Sequence, residues 1–211
     1  MTIELNDFDL NSIPDSKKIL FVGNNRSEKN SLILEYLHCH QSEFPLGIVI
    51  SDDTIFENHI PATFIHKKYE KELLIQLIQR QKLLICPENT IDPRTFCVVD
   101  ESNVIWEDEN IKWIFFNGRC VKLTVIMSLQ NNIKMPSALR TNTQYIFICR
   151  TTDLEEQKCI YGQFGEMFDS FTQFREIFLR YTENTYMVIN NDIDSDKLED
   201  RVFCFKKIDF K

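Results

Sequence analysis

Short apolar runs separated by amphipathic helical patterns constrain this 211-residue chain more than any other feature. Ile19 to Val22, Gly47 to Ser51, Phe64 to His66, Phe96 to Asp100, Leu123 to Ser128 and Tyr145 to Cys149 read as strands. Between them, Lys29 to Cys39 sets Leu32, Ile33, Tyr36 and Leu37 on one helical face, and Glu70 to Lys82 does the same with Leu73, Leu74, Leu77 and Ile78. Both stripes need a sheet beneath them. The alternation predicts an α/β fold with a mostly parallel central sheet flanked by helices.

Beyond Arg150, Leu154 to Phe164 and Phe168 to Tyr181 read as helices, and Tyr186 to Ile189 and Val202 to Phe205 as late strands. The acidic run Asn190 to Asp200 carries turn residues and reads as an exposed loop. Without an internal linker or repeat, the expectation is one domain over residues 1–211. Its core covers about 17–150, followed by C-terminal helices and strands over 151–211.

A hydrophobic fraction of 43% describes a globular chain, and a net charge of -8 argues against a protein that coats nucleic acid. A ring motor remains open, because a few Lys and Arg can line a channel inside an acidic shell. The seven Cys are odd in number and scattered, and they read as reduced core residues. Met1 to Leu10 lacks the basic start and apolar stretch of a leader, and no stretch is long enough for a membrane span. The expected location is the cytosol.

Chemistry concentrates at strand ends. Val22 is followed by Gly23-Asn-Asn-Arg-Ser-Glu-Lys29-Asn30-Ser31 and then an amphipathic helix, the context of a P-loop, G-x-x-x-x-G-K-[ST]. Gly23 and Lys29 fit the pattern, whereas Glu28 replaces the second glycine and Asn30 the Ser/Thr. Glu28 brings a side chain and a negative charge to where triphosphate would lie. A non-glycine residue forced to positive φ costs about 1–2 kcal/mol, although Asn24 and Asn25 tolerate it better than most. Asn30 offers Mg2+ a carbonyl oxygen in place of a hydroxyl. The alternative is an ordinary turn with Ser27 or Asn25 near the helix N-cap and Lys29 in solvent.

Phe96-Cys97-Val98-Val99-Asp100-Glu101 has the form of a Walker B strand, with Asp100 for the Mg2+ shell and Glu101 to take a proton from water. In additional-strand P-loop ATPases, the next strand lies between the P-loop and Walker B strands. Its tip here carries Gln130, placed to sense a γ-phosphate.

Three further segments follow in order: Phe115-Phe116-Asn117-Gly118-Arg119, Val125 to Gln130, and Pro136-Ser-Ala-Leu-Arg140-Thr-Asn142-Thr-Gln-Tyr145-Ile-Phe147. With Ile60-Pro61, Gln81 and Asp92-Pro93-Arg94, they make residues 17–189 resemble the packaging ATPase family of nucleocytoplasmic large DNA viruses. That resemblance implies an additional-strand (RecA-like, FtsK/HerA) P-loop NTPase fold with a degenerate Walker A loop. ATP and Mg2+ would be its cofactors. Gly23, Asn25, Ser27, Glu28, Lys29, Asn30 and Ser31 would bind nucleotide, and Asp100 and Asn30 would hold the metal. Glu101, Gln130 and an arginine, Arg119 or Arg140, acting on a neighbour would serve catalysis. The implied function is ATP-driven translocation of double-stranded DNA into a capsid by a homo-oligomeric ring that meets a capsid or portal-like component. The alternative is a catalytically impaired paralogue serving as a binding or assembly subunit. A nucleoside kinase would need an arginine-rich lid, which is not evident. His38-Cys39-His40 lacks a second cluster to complete a metal site. The aromatic run Tyr161 to Tyr181 reads as core rather than as a stacking platform. Lys67-Lys68 and Lys206-Lys207 read as solvated.

Overall fold

Alternate residues along one strand enter two different cores: Leu20 and Val22 face one layer, Ile19 and Phe21 the other. The computed structural model describes residues 3–100 and 105–207, apart from the side chain of Ser27. Its strands are β1 (Asn6–Asp7), β2 (Lys18–Val22), β3 (Leu46–Ile50), β4 (Ile65–His66), β5 (Thr95–Val99), β6 (Leu123–Leu129), β7 (Tyr145–Ile148), β8 (Tyr186–Asn190) and β9 (Val202–Phe205). Among the described residues they form one nine-stranded sheet in the order β1-β9-β8-β7-β2-β6-β5-β3-β4. All pairings are parallel except β7 with β8 and β8 with β9.

The helices are α1 (Arg26–Cys39), α2 (Lys71–Leu84), α3 (Glu109–Asn117), α4 (Ser137–Arg140), α5 (Leu154–Phe164), α6 (Phe171–Tyr181) and α7 (Leu198–Arg201). α1 covers one face of the sheet with Leu32, Ile33, Tyr36 and Leu37, joined there by Phe8, Leu10 and Ile13 of the N-terminal segment. α2, α3, α5 and α6 cover the opposite face. The aromatic run lies within that second core, where Phe174 and Phe178 are fully buried and stack with centroids 5.3 Å apart.

Several features depart from the sequence expectation, including β1, α4 and α7, the last with Leu198 buried inside the run read as an exposed loop. α1 begins at Arg26 rather than Lys29. α3 occupies a stretch to which no element was assigned, although Asp108 caps it and Ile111, Ile114 and Phe115 repeat at helical spacing. Among the cysteines, Cys97, Cys149 and Cys204 are buried, but Cys86 and Cys120 are exposed. All seven are free thiols.

Gln81 ties the second core to the sheet. It is fully buried on α2, and its amide donates to the carbonyls of Pro93 (2.6 Å) and Val121 (2.8 Å). Those carbonyls flank the starts of β5 and β6. Gln81→Ala is expected to lower stability by about 2–4 kcal/mol, since one buried and one part-buried carbonyl lose their donor. A fall in urea midpoint with unchanged slope would register the loss.

Candidate nucleotide site

The carboxyl ends of β2, β3, β5, β6 and β7 gather loops along one edge of the sheet, the edge where open α/β folds bind ligands. β6 lies between β2 and β5, so the segment after β2 and the acidic tip of β5 flank the tip of β6.

Asn25 determines the shape of the segment after β2. It is the N-cap of α1, and its side-chain oxygen accepts from the Glu28 amide at 3.2 Å. An Asn cap with Glu three residues on is close to a capping box, and the acidic side chain lies where the helix dipole favours it. The residues that spoil the P-loop pattern therefore make a good helix start. Positions 26–28 wind into the first turn, and the Lys29 amide donates to the Asn25 carbonyl at 3.1 Å. Gly23 does not adopt a positive φ. Its requirement is space, because a Cβ there would lie 2.7 Å from that of Cys149.

Lys29 is fully buried and folds back to donate to the Gly23 carbonyl. It is not in solvent, which departs from the ordinary-turn alternative, whereas Asn25 caps the helix as that alternative expects. Asn30 is also buried, with its amide nitrogen donating to Asp53 at 2.8 Å and its Oδ1 accepting from no group among the described residues. Ser31 accepts from Lys207 at 2.6 Å, so that C-terminal lysine is engaged rather than solvated. The carboxylate of Glu28 lies toward Tyr186 and Cys149, and both are pushed up in pKa, first by burial and then by that charge.

Asp100 stands at the tip of β5 and is fully buried. Its Oδ1 accepts from Ser128 at 2.5 Å, and its Oδ2 from Ser51 at 2.8 Å and from the Arg26 Nε at 2.7 Å. Arg26 Nη2 donates to the same oxygen and to Asp52. Burial alone would raise the Asp100 carboxyl; the bonds from Ser128, Ser51 and Arg26 outweigh it and hold the carboxyl below the usual range. Burial would likewise lower the guanidinium, yet its bonds to Asp52 and Asp100 keep it above its ordinary value.

The family pattern implies Mg2+ at Asp100 and Asn30. That ion takes oxygens in near-octahedral array at about 2.0–2.1 Å. Here both Asp100 oxygens are held by protein donors, a cation already lies against Oδ2, and the Asn30 amide is turned to Asp53. No group of three or more His, Cys, Asp or Glu among the described residues is arranged to hold a metal ion. The donors present do not fit Mg2+, which corrects the expectation for Asp100 and Asn30.

Gln130 follows β6 immediately and is exposed, at the same edge as Asp100. Its neighbour Asn131 is the buried residue of that tip, donating to Glu156 at 2.9 Å, with its own amide reaching Asn24 at 3.4 Å. Glu156 also accepts from Thr151 and Asn24, clasping the loops after β2, β6 and β7. Arg119 and Arg140 precede β6 and β7, so they lie at the opposite end of the sheet, roughly 20 Å away for a seven-residue strand. They are too distant to serve this chain's own site. Glu101 lies outside the described residues, as does the side chain of Ser27. Sequence reasoning missed Ser51, Asp52, Asp53, Ser128, Asn131 and Glu156. For Ser51 to Asp53, the signal was the switch from apolar to polar residues where β3 ends.

A strand, β6, inserted between β2 and β5 gives the sheet the order of an additional-strand P-loop fold. No family model matches the chain. Among viral proteins, uncharacterized protein 075L of Invertebrate iridescent virus 6 is 31% identical over 90% of this chain and 76% of its own length. Uncharacterized protein L437 of Acanthamoeba polyphaga mimivirus is 28% identical over 99% of this chain and 78% of its own. Among solved structures, the genome packaging NTPase B204 of Sulfolobus turreted icosahedral virus 2, bound to AMPPCP, superposes with a TM-score of 0.65 at 11% identity, covering 92% of this chain and 98% of B204. The chain belongs to the same viral protein family as 075L, shares the fold of a viral genome packaging NTPase, and carries a degenerate Walker A loop.

Proposed function

We propose that the chain is a subunit of a double-stranded DNA packaging machine, forming a homo-oligomeric ring at a viral capsid or portal-like component. Its P-loop site holds ATP without hydrolysing it at a motor's rate. The observation that carries this reading is Asp100, a Walker B carboxylate whose two oxygens are both held by protein donors, one of them the guanidinium of Arg26. Family membership and the packaging role of B204 support the machine; the wound-up start of α1 supports the loss of turnover. Lys29 would contact the phosphates, joined by Gly23, Asn25, Ser27, Glu28, Asn30 and Ser31 around the loop. Gln130 would sense the γ-phosphate. In a ring, Arg119 or Arg140 would face a neighbour's site, consistent with their distance from this one.

A second reading, an actively hydrolysing motor, is favoured by the survival together of Lys29, Asp100, Glu101 and Gln130. In it Glu101 would accept the proton of the attacking water.

ATP binding and turnover separate the two. The native chain is expected to bind ATP, with Lys29→Ala weakening binding about tenfold, and to hydrolyse no faster than Glu101→Gln. Turnover far above that of Glu101→Gln would restore the active motor. A native chain that does not bind ATP would remove the nucleotide reading altogether.

A further inference from the structure

The carboxylate that a P-loop site reserves for a divalent ion is bound here by a residue of the loop itself. We propose that Arg26 is a built-in cation that takes the place of the divalent metal at Asp100, so that nucleotide entering this site meets a fixed guanidinium instead of Mg2+. This assignment rests on reading the edge as the family's P-loop site.

Three features of geometry and charge support it. Arg26 lies in the loop segment between Gly23 and Lys29, and winding into the first turn of α1 brings its head group to the tip of β5, 74 residues away. The guanidinium lies among carboxylates: it bonds Asp100 and Asp52, while Asp53 is held beside them by Asn30. One positive charge thus answers the acidic cluster that a divalent ion would otherwise neutralise. Finally, Nε and Nη2 carry those bonds, whereas Nη1 makes no hydrogen bond to any described residue and the side chain is 31% exposed. A planar guanidinium with one nitrogen open to solvent can donate to a phosphate oxygen while its other edge stays on the carboxylate.

Removing the guanidinium is expected to free the Asp100 and Asp52 carboxylates to take a divalent ion in its place. The probe is Mn2+, followed by its paramagnetic resonance signal in the full chain without nucleotide. The native protein and Arg26→Lys, which keeps the charge, should take up no Mn2+ at Asp100. Arg26→Ala should bind it at least about tenfold more tightly than the native chain, a gain that Asp100→Asn in the same background abolishes. Its melting temperature should rise with Mg2+ where the native one does not. If Arg26→Ala does not fold, Arg26→Gln preserves the side-chain volume and carries the same expectation. Mn2+ binding by the native chain that Asp100→Asn removes would overturn the proposal, and so would failure of both neutral variants to gain metal.

A nucleotide titration in EDTA and in Mg2+ completes the test. The native affinity should change by less than about twofold between the buffers, and a tenfold gain in Mg2+ would overturn the assignment. If the native chain binds no nucleotide in either buffer while the Mn2+ results come out as expected, the nucleotide reading falls and the cation assignment stands.

Discussion

The triple variant Arg26→Gly, Glu28→Gly, Asn30→Thr is expected to bind ATP in Mg2+ at least about tenfold more tightly than the native chain, the largest change in affinity that the site suggests. Each replacement removes a different obstacle. Arg26 covers Asp100, Glu28 adds a negative charge in the first turn of α1, and Asn30 directs its amide to Asp53 instead of offering a hydroxyl. Two glycines in the first turn also weaken it by roughly 1 kcal/mol each relative to a good helix former, which favours returning residues 26–28 to a loop able to aim amides at phosphate. A fluorescent ATP analogue measures the affinity, and faster amide exchange at 26–28 reports the unwinding. Faster exchange without tighter binding would mean that residues 23–30 are not where phosphate binds.

Asp100→Asn should lower stability by about 2–4 kcal/mol at neutral pH, because a fully buried carboxylate with two hydroxyl donors and a guanidinium is replaced by an amide that puts a donor against donors. Arg26 keeps Asp52 as a partner and part of its exposure, which limits the loss. The pH dependence has a definite sign. Folding lowers the Asp100 pKa, so its stabilisation is complete above the unfolded value of about 3.9 and is lost as pH falls through the folded value. Asn does not titrate, so the gap between native and variant should close in acid. Urea melts at several pH values measure it, and a gap of constant size would mean that Asp100 is not ionised in the native protein.

Much of the fold was legible because its strands are buried on both faces. β2, β5, β6 and β7 are buried along their whole length and mostly apolar, and such runs announce themselves between amphipathic helices. β1 could not be read, since two exposed polar residues carry no pattern and are strand only because β9 offers an edge. α3 could have been read from Asp108 and the spacing of Ile111, Ile114 and Phe115. At the site, Lys29, Asp100 and Gln130 could be chosen because their positions follow from strand ends. Ser128 and Glu156 could not, since a polar residue near a strand end signals little until its partner is known.

The residues by themselves determined the strand and helix alternation, the family and the positions at which the phosphate loop departs from its pattern, all of which are local in the chain. Only the tertiary structure decided what those departures do. Whether Arg26 is a surface residue or the counter-charge of Asp100 depends on a contact across 74 residues. Whether Glu28 merely spoils a loop or starts a helix depends on Asn25 capping it. Local pattern follows from side-chain periodicity, whereas the pairing of buried charges follows from which strand tips the sheet order brings together.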